Sequence, residues 1–592
     1  MKVVLAAINA KYIHSNLAVY SLKTHAKEYD QHLELCEYTI NHYTDDIIMD
    51  LYKKKPDLLA LSCYIWNIEM VKVVASELKK VLPGLIVWVG GPEVSYEVEN
   101  FLKENEYVDG VMFGEGEETF LELMEHYVAH KKELSQIKGI AYWGDQEKTI
   151  VTKNASRMPL DLGMLAFPYE DLDAFAHKII YYESSRGCPF SCSYCLSSIE
   201  KGVRLRPLEL VKKELQLFLD KKIPQVKFID RTFNCNRQHA IAIWQYIYEH
   251  DNGITNFHFE ISADLLQEEE LQLLNRMRPG LVQLEIGVQS TNGRTIKEIN
   301  RTMELEKLAY AVKRVQQGGN IHQHLDLIAG LPYEDYHTFR NSFNAVYAMQ
   351  PNQLQLGFLK VLKGSQMFHE QEKRALIYKN HAPYEVMATK WLTYDEILEL
   401  KKVEEMVEVY YNSDQFEYSL AFLMHFYTSP FDFYKALGDY YEEHNLHGVH
   451  HARIARYEIL LKFVEESNPQ LAEPLKDLLV YDLYLRENMK SRPGFARDLE
   501  PYKEQYHSFY GAQEKINKGE LQDWKGKQGC LTGYKGYQAR QLARMTHIEC
   551  VGYDLKCLVE TGEQIPCTQH ILFDYMERNP LTMEAATYCV EL

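Results

Sequence analysis

The strongest constraint on the fold is an alternation. Strand-length apolar runs recur between amphipathic helical stretches over about the first 365 residues. The first series is Val3–Ile8, Leu33–Tyr38, Leu58–Tyr64, Leu85–Val89 and Val108–Phe113, with helical stretches such as Asn67–Val81 and Glu117–His130 between the runs. Strands that alternate with helices pair in parallel, because each crossover consumes a helix, so this series predicts an α/β, doubly wound sheet covered on both faces. The second series is Ile179–Glu183, Val226–Asp230, Phe257–Ile261, Val282–Gly287, His322–Ala329 and Leu354–Val361, with helical segments such as Leu208–Asp220 and Ala240–His250. Six strand–helix units in about 185 residues fit an open, partial (β/α)6 barrel better than a closed eightfold one. Between the series, Gly144 to His177 reads as a linker. From about residue 368, amphipathic segments such as Asp395–Tyr411 and His451–Glu466 predict a mainly helical C-terminal region. The expected domains are 1–140, a linker 141–177, a barrel 178–367 and a helical domain 368–592 with a substrate or partner role.

Charge narrows the partners. Lys and Arg number 65 against 84 Asp and Glu, a net charge of −19. Such a chain repels phosphate backbones, so bulk nucleic-acid binding is disfavoured, although a local basic patch is not. One such stretch is 515–544, where Lys515, Lys518, Lys525, Lys527, Lys535, Arg540 and Arg544 face only Glu520 and Asp523, with Tyr534 and Tyr537 interleaved. That pattern suits RNA or a phosphorylated metabolite, and equally a solvated surface. No apolar run reaches membrane-spanning length, so no membrane partner is expected. The opening segment lacks the layout of a signal peptide, and the 11 cysteines are odd in number; both point to a cytoplasmic protein without a disulfide framework.

Two sets of residues carry chemistry. The first lies at the carboxyl ends of the early strands: Asn9-Ala10-Lys11-Tyr12, Ser62-Cys63-Tyr64, Gly90-Gly91-Pro92-Glu93 and Gly114-Glu115-Gly116-Glu117. Parallel sheets bind ligands at such ends, and paired glycines let a ligand approach the backbone. The second is Cys188, Cys192 and Cys195, following the first barrel strand. A tetrahedral zinc site usually takes four ligands in two pairs, and no second pair lies nearby. Three thiolates on a cubane iron–sulfur cluster leave one iron open.

The CxxxCxxC spacing on a loop after a barrel strand resembles the radical S-adenosylmethionine (SAM) superfamily. The order of motifs over residues 1 to about 365 resembles its branch with an N-terminal cobalamin-binding domain. The C-terminal region resembles an uncharacterised domain found attached to some of these proteins. This resemblance implies that Cys188, Cys192 and Cys195 ligate a [4Fe-4S] cluster whose open iron binds SAM. It implies SAM contacts from Tyr194, against the adenine, and from Asp230, Arg231, Glu260, Ser262, Glu285 and Gln289. Asp230 and Arg231 replace the glycine-rich motif of many members. It further implies cobalamin contacts from Tyr12, His14, Ser62, Gly90, Gly91, Glu93, Gly114 and Gly116. The Asp-x-His-x-x-Gly motif that supplies a histidine to cobalt is absent: Asp30, Gln31 and His32 begin it, but Leu35 stands where glycine belongs. His14 is the remaining candidate. The implied activity is a methyl transfer to an unactivated carbon of an unnamed substrate, using a 5′-deoxyadenosyl radical and methylcobalamin. The alternatives are a non-methylating cyclisation, ring contraction or oxidation, or a cobalamin-binding regulator with a structural cluster. A low-potential electron donor of the flavodoxin or ferredoxin type is the implied partner.

Overall fold

The computed structural model describes residues 1–199, 201–525, 530–531 and 533–592. They form two compact units, one of residues 1–339 with 357–397, the other of 340–356 with 398–592. By this division residues 340–356 belong to the second unit and residues 368–397 to the first.

The first sheet comprises β1 (Val3–Asn9), β2 (Leu33–Thr39), β3 (Leu58–Ser62), β4 (Ile86–Gly90), β5 (Gly110–Met112), β6 (Ile140–Trp143) and β7 (Val151–Lys153), in the order β2-β1-β3-β4-β5-β6-β7. β1 to β5 run parallel. The order reverses at β1, so the crevice between the carboxyl ends of β1 and β3 is the switch point where such sheets bind ligands. β1 is buried along its whole length. Val4, Ala6 and Ile8 enter one core with the helices Thr44–Lys54 and Ile68–Val81, while Val3 and Leu5 enter a second with Phe120, Leu123 and Met124. β6 and β7 add antiparallel to the edge, so the sheet extends past residue 140 into the expected linker. Trp143 fixes this extension by donating from its indole N–H to the Val108 carbonyl at 2.9 Å. A hairpin needs no helical crossover, and a search for strand–helix alternation does not find one.

The second sheet consists of β8 (Ile179–Tyr182), β11 (Gln225–Phe228), β12 (Asn256–Ile261), β13 (Val282–Gln289), β14 (His322–Ala329) and β15 (Gln353–Phe358), in the order β15-β14-β13-β12-β11-β8. It is an open, six-stranded partial barrel. Two short strands, β9 (Ser185–Arg186) and β10 (Arg204–Leu205), pair antiparallel beside it. Along β13, Val282, Leu284, Ile286 and Val288 are buried towards the surrounding helices, and Gln283, Glu285, Gly287 and Gln289 alternate onto the other face, which lines the lumen. The outer core is aromatic: the Phe259 ring centre lies 4.3 Å from Phe233 and 4.5 Å from Phe228.

The second unit is helical up to Asn517 and closes with an antiparallel sheet of Thr546–Tyr553, Pro566–Arg578 and Ala585–Val590. Its tyrosines account for much of the chain's 42. Tyr410, Tyr434, Tyr441, Tyr457 and Tyr484 are fully buried, and the Tyr410 and Tyr441 hydroxyls bond at 2.8 Å. Tyr534 is buried in a separate cluster with Phe509, Tyr510 and Leu542 and donates to Asp574, so it offers no exposed ring for a base to stack on. Lys527 lies outside the described residues. Among the described residues no helix is long and apolar enough to cross a membrane.

Phe259 is wholly buried, so Phe259→Ala removes a full aromatic side chain from the barrel's outer core. The expected cost is about 3–5 kcal/mol, read as a clear drop in the thermal unfolding midpoint; an unchanged midpoint rejects this packing role.

Candidate functional site

A cavity of about 110 Å³ opens at the carboxyl ends of the first sheet. Ser62, Gly90, Gly91, Gly114 and Gly116 line it, with Val19 and Leu22 of the first helix and Met112 completing an apolar wall. Gly91 has φ +122°, and a Cβ there would stand 2.4 Å from the Cys63 carbonyl oxygen. The backbone itself therefore demands glycine at 91. Gly114 (φ +78°) has open space where a Cβ would be, so the cradle at that point is kept clear. The structure thus brings together five of the eight predicted cobalamin contacts. It separates the other three. Glu93 accepts a hydrogen bond from Tyr384, and Tyr12 is 69% exposed. His14 lies against the barrel: Ser15 N–H donates to the Ile179 carbonyl at 3.2 Å, and the His14 ring bonds the Tyr181 hydroxyl at 2.7 Å. Burial, aided by Lys11 and Lys227, holds the His14 pKa below its usual value.

The three cysteines sit in the loop between β9 and β10. Gly187 (φ +95°) makes the turn possible, since a Cβ there would meet the Gly202 carbonyl oxygen at 2.1 Å. Cys188 and Cys192 are buried and Cys195 is half-buried. The loop is pinned on both sides of Ser193, whose N–H donates to Ile299 at 2.9 Å and whose carbonyl accepts from Met367 at 2.8 Å. The three thiols do not all lie within 4.8 Å of one another. Arg301 completes the loop: it reaches Cys192 Sγ at 3.9 Å and the Tyr194 hydroxyl at 3.4 Å, and donates to the Gly287 carbonyl. Burial raises the Cys192 thiol pKa, and Arg301 opposes that rise. Sequence reasoning missed Arg301, because no motif surrounds it and only folding brings it to the cysteines.

The predicted SAM contacts divide. Asp230 is fully buried and committed to the fold, accepting from Ser184 N–H at 2.9 Å and from the Ser184 and Ser185 hydroxyls at 2.6 and 2.5 Å. Ser262 is likewise engaged, with Asn234 and with Asp264. Arg231 is exposed. Glu260, Glu285 and Gln289 face the lumen. Glu285 is paired with Lys227 at 2.9 Å and His258 at 3.0 Å. Burial works to raise its pKa, but these two partners prevail and hold it at about 2. Glu260 stands opposite Glu285 on the neighbouring strand. Burial first, and then repulsion from Glu285, push Glu260 up to about 7. Gln289 (φ +70°) leaves its buried side-chain oxygen without a hydrogen-bond partner, as a ligand-facing group would. Gly287 provides its room, since a Cβ there would meet Gln289 Nε2 at 2.3 Å.

One ion-pair network spans both sites. Arg186, two residues before Cys188, pairs with Glu117, with Glu183 at 2.8 Å and with Glu115 at 3.4 Å. Arg204, its partner across β9 and β10, also binds Glu115. Glu115 and Glu117 belong to the loop that supplies Gly114 and Gly116 to the first cavity.

Comparison with known proteins agrees with this arrangement. Residues 3–124 match the B12 binding domain, 182–346 the radical SAM superfamily, and 372–573 a protein family of unknown function, DUF4080. The chain is 27% identical over 325 residues to 2-(S-pantetheinyl)-carbapenam-3-carboxylate methyltransferase of Streptantibioticus cattleyicolor, covering 49% of this chain and 45% of that one. It is 22% identical over 354 residues to the anaerobic magnesium-protoporphyrin IX monomethyl ester cyclase of Rubrivivax gelatinosus, covering 56% and 62%. The chain spans about half the length of the curated relatives it matches. Among solved structures, the fold is similar to the methyltransferase TsrM from Kitasatospora setae with cobalamin and a [4Fe-4S] cluster bound (TM-score 0.54, 17% identity, 65% of this chain and 80% of that one). It is also similar to the cobalamin-dependent SAM radical enzyme OxsB (TM-score 0.52, 16% identity, 88% and 82%).

Two outcomes test the site. Gly187→Ala should push the hairpin away from Gly202 and cut the iron bound after anaerobic reconstitution to less than about half, with circular dichroism unchanged; full iron content refutes the role of the turn. For Glu260, an unfolded glutamate titrates near about 4.3, and the folded one near about 7. The folded state binds this proton more tightly, so stability falls as pH rises from the lower value through the higher one. In the cofactor-free chain, Glu260→Gln should therefore raise the melting midpoint at pH 8 and have little effect near pH 4; a gap independent of pH sinks the assignment.

Proposed function

We propose that the chain is a cobalamin-dependent radical SAM enzyme, a methyltransferase acting on an unactivated carbon of its substrate. The observation that carries this reading is the Arg186 network, which ties the glycine cradle of the first sheet to the loop bearing the three cysteines. Two cofactors bound at those places would be held in one fixed relation.

The residues fit both groups. Cys188, Cys192 and Cys195 would hold a [4Fe-4S] cluster, and Ser62, Gly90, Gly91, Gly114 and Gly116 would cradle cobalamin. When bound, these cofactors and SAM supply the radical and the transferable methyl group. The chain supplies position and charge. Arg301 holds Cys192 and Tyr194 together, which keeps the tyrosine ring beside the cysteine loop. The side-chain oxygen of Gln289 is free to accept a hydrogen bond from SAM. Glu260 is poised to take or give a proton near neutral pH, while Glu285, locked to Lys227 and His258, stays charged. Asp230 acts through Ser184 and Ser185 and shapes the strand end. His14, bonded to Tyr181 and outside the cavity lining, does not reach cobalt in this reading. The cytoplasm, a reducing compartment, suits 11 free cysteines. A flavodoxin- or ferredoxin-type protein delivers the electron.

The test is anaerobic turnover of the reconstituted chain with SAM, methylcobalamin, dithionite and a cell extract as the source of substrate. Methyl transfer predicts 5′-deoxyadenosine and S-adenosylhomocysteine together, with a methylated product by mass spectrometry. 5′-Deoxyadenosine without S-adenosylhomocysteine favours a non-methylating reaction, the reading supported by the cyclase relative. Absence of both overturns the enzyme. Replacing the three cysteines with Ala should abolish 5′-deoxyadenosine, and His14→Ala should leave the cobalt paramagnetic resonance spectrum unchanged.

A further inference from the structure

Outside the sites described above, the first unit carries an open groove of about 450 Å³, formed where the segments after β13, β14 and β15 meet. Its charge runs against that of the chain. The net charge is −19 overall, yet Arg294, Lys297, Lys373 and Arg374 line this groove against only Glu298 and Glu370. Both carboxylates are spent on Arg374, at 3.1 and 2.5 Å. Arg374 is buried, whereas Arg294, Lys297 and Lys373 are exposed, and among the described residues none of these three forms an ion pair. The Arg294 guanidinium lies 3.8 Å over the Tyr333 ring, which fixes its position at the groove wall.

The groove also backs onto the cysteine loop. Lys297, Glu298 and Asn300 flank Ile299, whose carbonyl accepts from Ser193 N–H at 2.9 Å. On the opposite wall, Gln366 precedes Met367, whose N–H donates to the Ser193 carbonyl at 2.8 Å. Ser193 stands between Cys192 and Tyr194. One residue of the cysteine loop is therefore bonded directly to both groove walls.

We propose that this groove is the docking surface for an acidic, low-potential electron-carrier protein. The inference rests on the radical SAM reading above, in which each reaction begins with one electron delivered to the cysteine-held cluster. The carrier is oxidised by one electron and the cluster is reduced by one; no bond is made and no proton moves. An acidic carrier is repelled by the net charge of −19, and the three uncompensated cations of the groove oppose that repulsion locally. Complementary charge of this kind sets encounter rate and orientation more than raw affinity, and salt screens it. A small anion alone would need convergent, enclosed donors, and Arg294, Lys297 and Lys373 instead stand exposed around an open rim.

The experiment compares the reconstituted full chain with Arg294→Glu/Lys297→Glu/Lys373→Glu, none of which touches the cysteines, the cavity or the lumen. The probe is a purified bacterial flavodoxin, with its binding measured by titration calorimetry at low and high salt. Charge reversal should weaken binding at low salt by at least about tenfold, and raised salt should weaken the parent's binding more steeply than the variant's. Flavodoxin-driven formation of 5′-deoxyadenosine should fall in parallel, while the dithionite-driven rate stays within about twofold of the parent. Flavodoxin binding unchanged by the reversal overturns the proposal. If dithionite yields no 5′-deoxyadenosine with either chain, the enzyme reading fails, while the calorimetry still judges the surface.

Discussion

The arginine at 186 is the joint on which the rest of the first unit depends. Its guanidinium is surrounded by Glu115, Glu117 and Glu183, all largely withdrawn from water, and its partner across the short hairpin, Arg204, shares Glu115. Networks of this kind add little net stability, because desolvation offsets most of the attraction. Their value is directional. A planar fork with five fixed donors sets the angle between the parts it joins. Here those parts are the glycine loop of one sheet and the cysteine loop of the other.

The barrel builds its interior by the two-residue period of a strand. Outward positions are apolar and disappear beneath the helices, as Phe228, Phe257 and Phe259 do. Inward positions carry Lys227, His258, Glu260, Glu285, His324 and Asp326, and pairing keeps most of that charge inside: Lys227 and His258 with Glu285, and His324 with Asp326 at 3.0 Å. Glu260 is left over, which is why burial and the neighbouring Glu285 charge move its titration towards neutrality. A carboxyl so placed changes its protonation state with modest changes in surroundings, a property common in active sites.

The glycines illustrate how different physical reasons produce the same letter. Gly91 and Gly187 are demanded by backbone crowding, each with a positive φ and a carbonyl oxygen where a Cβ would stand. Gly287 is demanded by a side chain, since it leaves room for Gln289. Among the four glycines that line the cavity, Gly114 alone faces open space, and it is the position whose smallness bears on what the cavity admits.

The sequence by itself determined the alternation of strands and helices, the parallel sheets that follow from it, and the crowding of Cys188, Cys192 and Cys195 into one loop. Each of these is local: hydrophobic period, crossover length and residue spacing are properties of consecutive residues. That Ser62, Gly90, Gly91, Gly114 and Gly116 meet at one cavity was legible for the same reason, because each lies at or just beyond the carboxyl end of β3, β4 or β5. Tertiary structure alone decided the rest. It turned Asp230 and Ser262 inward to hold strand ends, gave Glu93 to Tyr384, set His14 against Tyr181, and buried Tyr534 in a core. It brought Arg301 to Cys192, and Arg186 to Glu115 and Glu117, across spans that carry no motif. It also added β6 and β7 to the sheet and three strands to the C-terminal unit. A long charged or polar side chain has several partners within reach, and which one it takes depends on packing between elements distant in sequence, a quantity that no local pattern encodes.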